Sequence, residues 1–126
     1  MLRYCANLSL LFTELPLIER FGAARAAGFE AVEIQFPYAL SVAEIRTELD
    51  VHDLELVLIN IPAGDLMQGG DGLAGVPGRE QAFRHAVAQT LPYADQLGVR
   101  CVNVPIRAMA LTLLVLPWSV AIPMVV

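Results

Sequence analysis

Four short apolar runs alternate with three stretches of helical spacing, and this alternation leaves few folds open to the chain. Leu2 to Asn7 is an apolar run bounded by polar residues, as a buried strand is. Leu17, Ile18, Phe21 and Ala24 then share one helical face, with Pro16 tolerated in the first turn and Gly28 suited to close the helix. Ala31 to Phe36 (AVEIQF) reads as a second strand, closed by Pro37 and Tyr38. Ser41-Val-Ala-Glu44 has the pattern of a capping box, and Val42, Ile45 and Leu49 stripe the helix that follows it. Leu54 to Ile61 (LELVLINI) is the third strand. From Pro62 to Gly78 runs a 17-residue loop with six glycines and two prolines, a length at which loops are often functional. Arg79 to Leu97 is a third helix with Phe83, Val87 and Leu91 on one face. Pro92 lacks an N–H and predicts a kink or an early end there. Val99 to Val104 is a fourth strand.

Strands that alternate with helices pair in parallel through right-handed crossovers, which sets the class as α/β. The closed version is the (β/α)8 barrel of about 250 residues, and a chain of 126 has room for half of it. The open, doubly wound version carries a glycine fingerprint in its first turn. Here that turn reads NLSLLF, without glycine. The expected architecture is therefore parallel βα repeats forming the first half of a TIM barrel.

Composition narrows the partners. Hydrophobic residues make up 56% and charged residues 17%, so the chain collapses around a core. A formal net charge of −5 argues against a nucleic acid bound through its phosphates. Cys5 and Cys101 are too few for a disulfide framework and too far apart for a metal clip, which points to a reducing cytoplasm. MLRYCANLSLLF interrupts its apolar stretch with Asn7 and Ser9 and does not read as a secretory signal. All 13 acidic residues precede Val104, after which the chain reads VPIRAMALTLLVLPWSVAIPMVV. This divides the sequence into residues 1–103, a partial barrel domain, and an apolar segment, 104–126.

In a βα barrel the chemistry lies at the carboxyl ends of the strands. Those ends carry Asn7, Gln35 and Phe36, Asn60 with Pro62 to Asp65, and Asn103. A carboxamide both donates and accepts, which suits a hydroxy-keto substrate; equally, asparagine at such ends satisfies loop backbone. Glu33, in mid-strand, reads as a structural carboxylate below the rim, paired with an arginine of a neighbouring element, with acid–base work as the alternative. Asp65 and Asp71 read as turn residues with no second metal ligand nearby in sequence. Arg79 either reaches an anionic carboxylate over the site or pairs with Glu80. His52, on the face opposite the chemistry, and His85, on a helix surface, stand alone.

Read together, ANLSLLFTELPLIERFGAARAAGFEAVEIQFPY, NIPAGD and GVPGRE resemble the hydroxypyruvate isomerase family and its 2-oxo-tetronate-isomerising relatives, from Met1 to about Asn103. That family is similar in fold to xylose isomerase. The resemblance implies an aldose–ketose isomerisation of hydroxypyruvate to 2-hydroxy-3-oxopropanoate. A divalent cation such as Mg²⁺ polarises the oxygens, and paired glutamates move the proton. It implies substrate contacts from Asn7, Phe36, Asn60 and Arg79, and it sets the catalytic glutamates and metal ligands on later strands that this sequence lacks. The expectation is an inactive first half, with open barrel edges that invite pairing between copies. The apolar segment departs from the family pattern. It has the length of a membrane span, but Pro117 and Pro123 interrupt it and no positive cluster flanks it, so an altered reading frame accounts for it better.

Overall fold

The computed structural model describes residues 2–107, so residues 108–126, most of the apolar segment, lie outside the described residues. The order is β1 (Cys5–Asn7), α1 (Leu17–Ala26), β2 (Ala31–Ile34), α2 (Val42–His52), β3 (Glu55–Asn60), α3 (Glu80–Gln96) and β4 (Cys101–Asn103). The four strands form one sheet in the order β1-β2-β3-β4, every pair parallel. This is the succession of parallel βα units expected for the opening half of a barrel.

All four strands are shorter than the apolar runs that mark them. Leu2 to Tyr4 are exposed and outside β1, and β2 stops at Ile34. Phe36 precedes a proline and is held extended (φ −133°), while Pro37, which cannot donate to a ladder, opens a 3-10 turn over Pro37–Ala39. The capping box forms as read: Ser41 Oγ accepts from Glu44 N at 3.2 Å, and Glu44 Oε2 accepts from Ser41 N at 2.7 Å. The helix ends on Asp53 in the left-handed region (φ 51°), a position where aspartate substitutes for glycine. Pro92 does not end α3 early, since the helix continues to Gln96. Ala88, whose carbonyl loses its partner, lies with Pro92 on the exposed face, where solvent is free to reach that carbonyl.

Side chains alternate along β1 and β2, and β3 interrupts the alternation with one extra residue, the buried Val57, opposite the Val32–Glu33 step. Ala6, Leu8, Val32, Ile34, Leu56 and Ile59 project to one face and pack with Phe21 and Ala24 of α1, Ile45 and Leu49 of α2, and Leu97. Asn7, Glu33, Leu58 and Cys101, aligned across the sheet, project to the other, on which no helix of the described residues packs. A register shift between Val32 and Glu33 keeps the two rows in step.

Phe21 is fully buried at the centre of the covered face. Phe21→Ala is expected to cost about 3–5 kcal/mol of unfolding free energy. Denaturant titration of the purified chain checks this, and a loss under about 1 kcal/mol would contradict the placement.

Candidate functional site

The carboxyl ends of the strands carry a polar rim on the uncovered face. Asn7 closes β1, and its register partner is Glu33. Glu33 therefore lies level with the end of β1 and one residue from the end of β2, not below the rim. Its partner is not an arginine: Glu33 Oε1 accepts from Asn7 Nδ2 at 2.7 Å. Asn7 Oδ1 in turn accepts from Ser9 N at 2.9 Å, and Ser9 Oγ accepts from Gln35 N at 2.9 Å. Both ends of the Asn7 amide are thus engaged, and the first βα loop is tied to β2. Arg20 secures the same loop from α1, donating to the carbonyls of Leu8 and Leu15, each at 2.8 Å.

Two strands along, Asn60 and Asn103 stand opposite one another. Asn103 Nδ2 donates to Asn60 Oδ1 at 3.1 Å. Asn60 is buried, and its backbone carbonyl accepts from the Tyr38 hydroxyl at 2.5 Å. The same hydroxyl lies 2.8 Å from Thr90 Oγ1 on α3. Tyr93 meets the Tyr38 ring edge-on at 5.1 Å and donates to Leu40 O at 2.7 Å. Burial pushes the Tyr38 phenol above its ordinary value, so it stays a hydrogen-bond donor at neutral pH. Phe36 is half-buried beside this network, between β2 and the 3-10 turn.

The long loop is organised by charge. Arg79 donates from Nη1 to Asp65 Oδ1 at 2.9 Å and from Nη2 to Asp65 Oδ2 at 3.1 Å, a two-pronged pairing. Nη1 also donates to Gly72 O, while Gly72 N donates to Asp65 Oδ1. The chain passes so close that a Cβ at Gly70 would stand 2.3 Å from Asp65 Cγ, which is why a glycine occupies that position. Asp71 pairs with Arg107 beyond β4 at 2.5 Å. The Arg79–Glu80 pair, one of the two alternatives for Arg79, does not form; Glu80 accepts from Gly78 N.

The remaining candidates lie away from the rim. His52 ends α2, 3.3 Å from Glu48, packed against Gly22 of α1. His85 is exposed on α3. Cys5 sits two residues before Asn7 in β1; burial first, then the charges of Glu33 and Glu55, push its thiol up to about 12, so it is not a nucleophile. A cleft between Leu2–Tyr4 and Ala27–Ala31 opens at the amino ends of the strands, the end that in a barrel serves stability and not chemistry. Ser9 is the rim group that sequence reasoning missed, and Glu33 is the one it set too low. A register between residues 26 positions apart brings them in, and no local pattern marks it.

Comparison with known proteins follows this geometry. The family model described as xylose isomerase-like TIM barrel matches residues 21–117. Hydroxypyruvate isomerase of Escherichia coli K12 is 45% identical over 103 residues, covering 82% of this chain and 40% of that protein. The 2-oxo-tetronate isomerase of Cupriavidus necator is 45% identical over 96 residues, 76% of this chain and 37% of the relative. The crystal structure of AP endonuclease, family 2, from Brucella melitensis superposes with a TM-score of 0.77 at 45% identity, over 82% of this chain and 40% of that one. The chain thus spans about 40% of the length of these relatives.

The Asp65 carboxyl is held below the ordinary aspartate value, chiefly by the Arg79 hydrogen bonds and then by Gly72 N–H. A depressed folded value means the clamp's contribution is complete above the unfolded aspartate pKa of about 3.9 and is lost as pH falls through the lower folded one. Hydrogen exchange at the Gly70 and Gly72 amides is expected to quicken below that range. In Asp65→Asn it is expected to be fast already at pH 7. Equal protection in the variant would show that the loop is held by something else.

Proposed function

Since the chain belongs to the xylose isomerase-like TIM barrel family, we propose that its strand ends form one wall of a hydroxypyruvate isomerase-type site. In this reading residues 1–103 are the barrel portion, and 104–126 are a separate apolar segment. The substrate class is a small hydroxy-keto acid, hydroxypyruvate or a 2-oxo-tetronate, and the reaction is an aldose–ketose isomerisation. The observation that carries the reading is the polar rim on the open face: Asn7 with Glu33 on β1 and β2, Asn60 with Asn103 on β3 and β4. The carboxamides of Asn60 and Asn103, held on their strand ends, bind a carbonyl and a hydroxyl without reorganising, while Asn7 holds Glu33. Phe36 and the Tyr38 network give this wall a rigid apolar border. Arg79 serves it through the long loop, which its fork on Asp65 keeps folded beside β3.

The relatives named above from Escherichia coli and Cupriavidus necator are isomerases, and the resemblance brings a divalent cation with it. Among the described residues no three His, Cys, Asp or Glu side chains gather as a cation site. These residues therefore do not fit that cation by themselves, and the work assigned to them is binding and orientation. A nucleic-acid partner, the alternative that the Brucella endonuclease brings up, is disfavoured. Arg3, Arg25, Arg46, Arg79, Arg100 and Arg107 each pair with an acidic neighbour, and the formal charge is −5. Among the described residues no helix is long and apolar enough to cross a membrane. Both cysteines are free, in keeping with a reducing cytoplasm. The uncovered strand β4, exposed along Cys101–Asn103, is the edge through which copies would pair.

Catalysis needs the reacting atoms enclosed, and the described sheet leaves one face open. With hydroxypyruvate and Mg²⁺, the purified 126-residue chain is expected to give no turnover above buffer. In the same sample hydroxypyruvate is expected to shift the Asn60 and Asn103 side-chain amide resonances saturably. Turnover by the chain, or a rim unmoved by the ligand, would overturn the reading.

A further inference from the structure

We infer that Glu33 is the group of this rim that receives a ligand hydroxyl, and that Asn7 is its positioning residue. The inference rests on the reading of the rim as a hydroxy-keto acid site and gives it a direction.

The hydrogen-bond chemistry of Asn7 admits one orientation. A backbone N–H only donates, so the atom facing Ser9 N is the amide oxygen. The atom facing Glu33 Oε1 is then the amide nitrogen, a donor to a carboxylate. Asn7 has both ends engaged within the chain, and a ligand would have to break one of these bonds to reach it. Glu33 is different. One oxygen is fixed by Asn7 at 2.7 Å, and no side-chain or backbone donor of the described residues meets the other. The side chain is half-buried on the uncovered face, and among the described residues no buried side-chain polar atom lacks a partner. The second oxygen is therefore not sealed from solvent, and its carboxyl group, on the face opposite the helices, is already oriented by Asn7.

The neighbours settle what this oxygen takes. In register beside Glu33 stand Asn7 and Leu58, with Cys101 beyond Leu58, and none of these is cationic. The acids of the long loop are occupied: Asp65 by Arg79, Asp71 by Arg107. An unpaired carboxylate oxygen repels the carboxylate of a keto acid and accepts from its hydroxyl. The ligand thus presents its hydroxyl-bearing carbon to β1 and β2. The amides of Asn60 and Asn103, farther across the sheet, are left for its other oxygens. Pyruvate, which lacks only the hydroxyl, should lose this contact and keep the rest.

The test compares the two acids on the 126-residue chain, with the Asn60 and Asn103 side-chain amide resonances as the readout of binding. Wild type is expected to bind hydroxypyruvate about tenfold more tightly than pyruvate, the worth of one hydrogen bond to a charged group. Glu33→Gln keeps the shape and can still accept from Asn7 but offers an N–H where the oxygen was. It is expected to lose that preference, with pyruvate affinity within about twofold of wild type. Asn7→Ala keeps the Glu33 carboxyl but frees it to turn, and it is expected to reduce the preference without abolishing it. If Glu33→Gln fails to fold, the side-chain carboxyl ¹³C signal of Glu33 in wild type replaces it, and it is expected to move with hydroxypyruvate and not with pyruvate. A preference that survives Glu33→Gln, or a carboxyl signal blind to both acids, overturns the assignment and leaves the site reading standing. Equal binding of the two acids by wild type also overturns it. A rim that answers neither acid sinks the site reading itself.

Discussion

The two faces of a parallel strand are inseparable, and the architecture of this protein rests on that. Once Val32 and Ile34 are buried beneath the helices, Glu33 must project to the opposite side. The same holds for Ala6 and Leu8 against Asn7, and for Ile59 against Leu58 and Asn60. Hydrophobic burial on one face, worth about 1.5–3 kcal/mol for each large side chain, therefore sets polar groups on the other with little freedom. The rim is a by-product of the core, and hydrogen bonds between neighbouring strands then fix its details.

Charge plays a different part. The acidic excess does not spread as a uniform field, since six arginines meet carboxylates one by one. Most of these pairs are exposed and contribute little each. The Asp65–Arg79 pair stands apart because both prongs form and both residues also hold Gly72. It turns a glycine-rich segment with no helical or strand pattern into an ordered loop at the carboxyl end of β3. One carboxylate ties the two ends of the loop together, over backbone turns that the loop makes by itself.

Local patterns are legible residue by residue. Ser41 and Glu44 are three positions apart, and the bonds of the capping box are made within one helical turn, so reading the pair is enough. The apolar runs locate every strand but overstate each, because Leu2 or Phe36 is apolar without being paired. Pro92 misleads in the opposite sense: its cost depends on which face of α3 meets water, and the residue alone does not say. Asparagine at strand ends marks Asn7, Asn60 and Asn103 correctly as rim residues. For Glu33 the sequence suggests the wrong level and the wrong partner, and for Arg79 it offers Glu80 where the folded chain supplies Asp65.

Those errors share a cause. Which residue faces which across a sheet depends on register, and the β1–β2 register that sets Asn7 opposite Glu33 is invisible in hydropathy. Asp65 and Arg79 are 14 positions apart in a segment without periodicity, where only the folded path brings them together. The amino-acid order was sufficient for the α/β class, the parallel succession of units and the capping box, because these arise from interactions a few residues long. The pairing of Asn7 with Glu33 and the clamp of the long loop required the folded chain, because their partners are neighbours in space and not along the backbone.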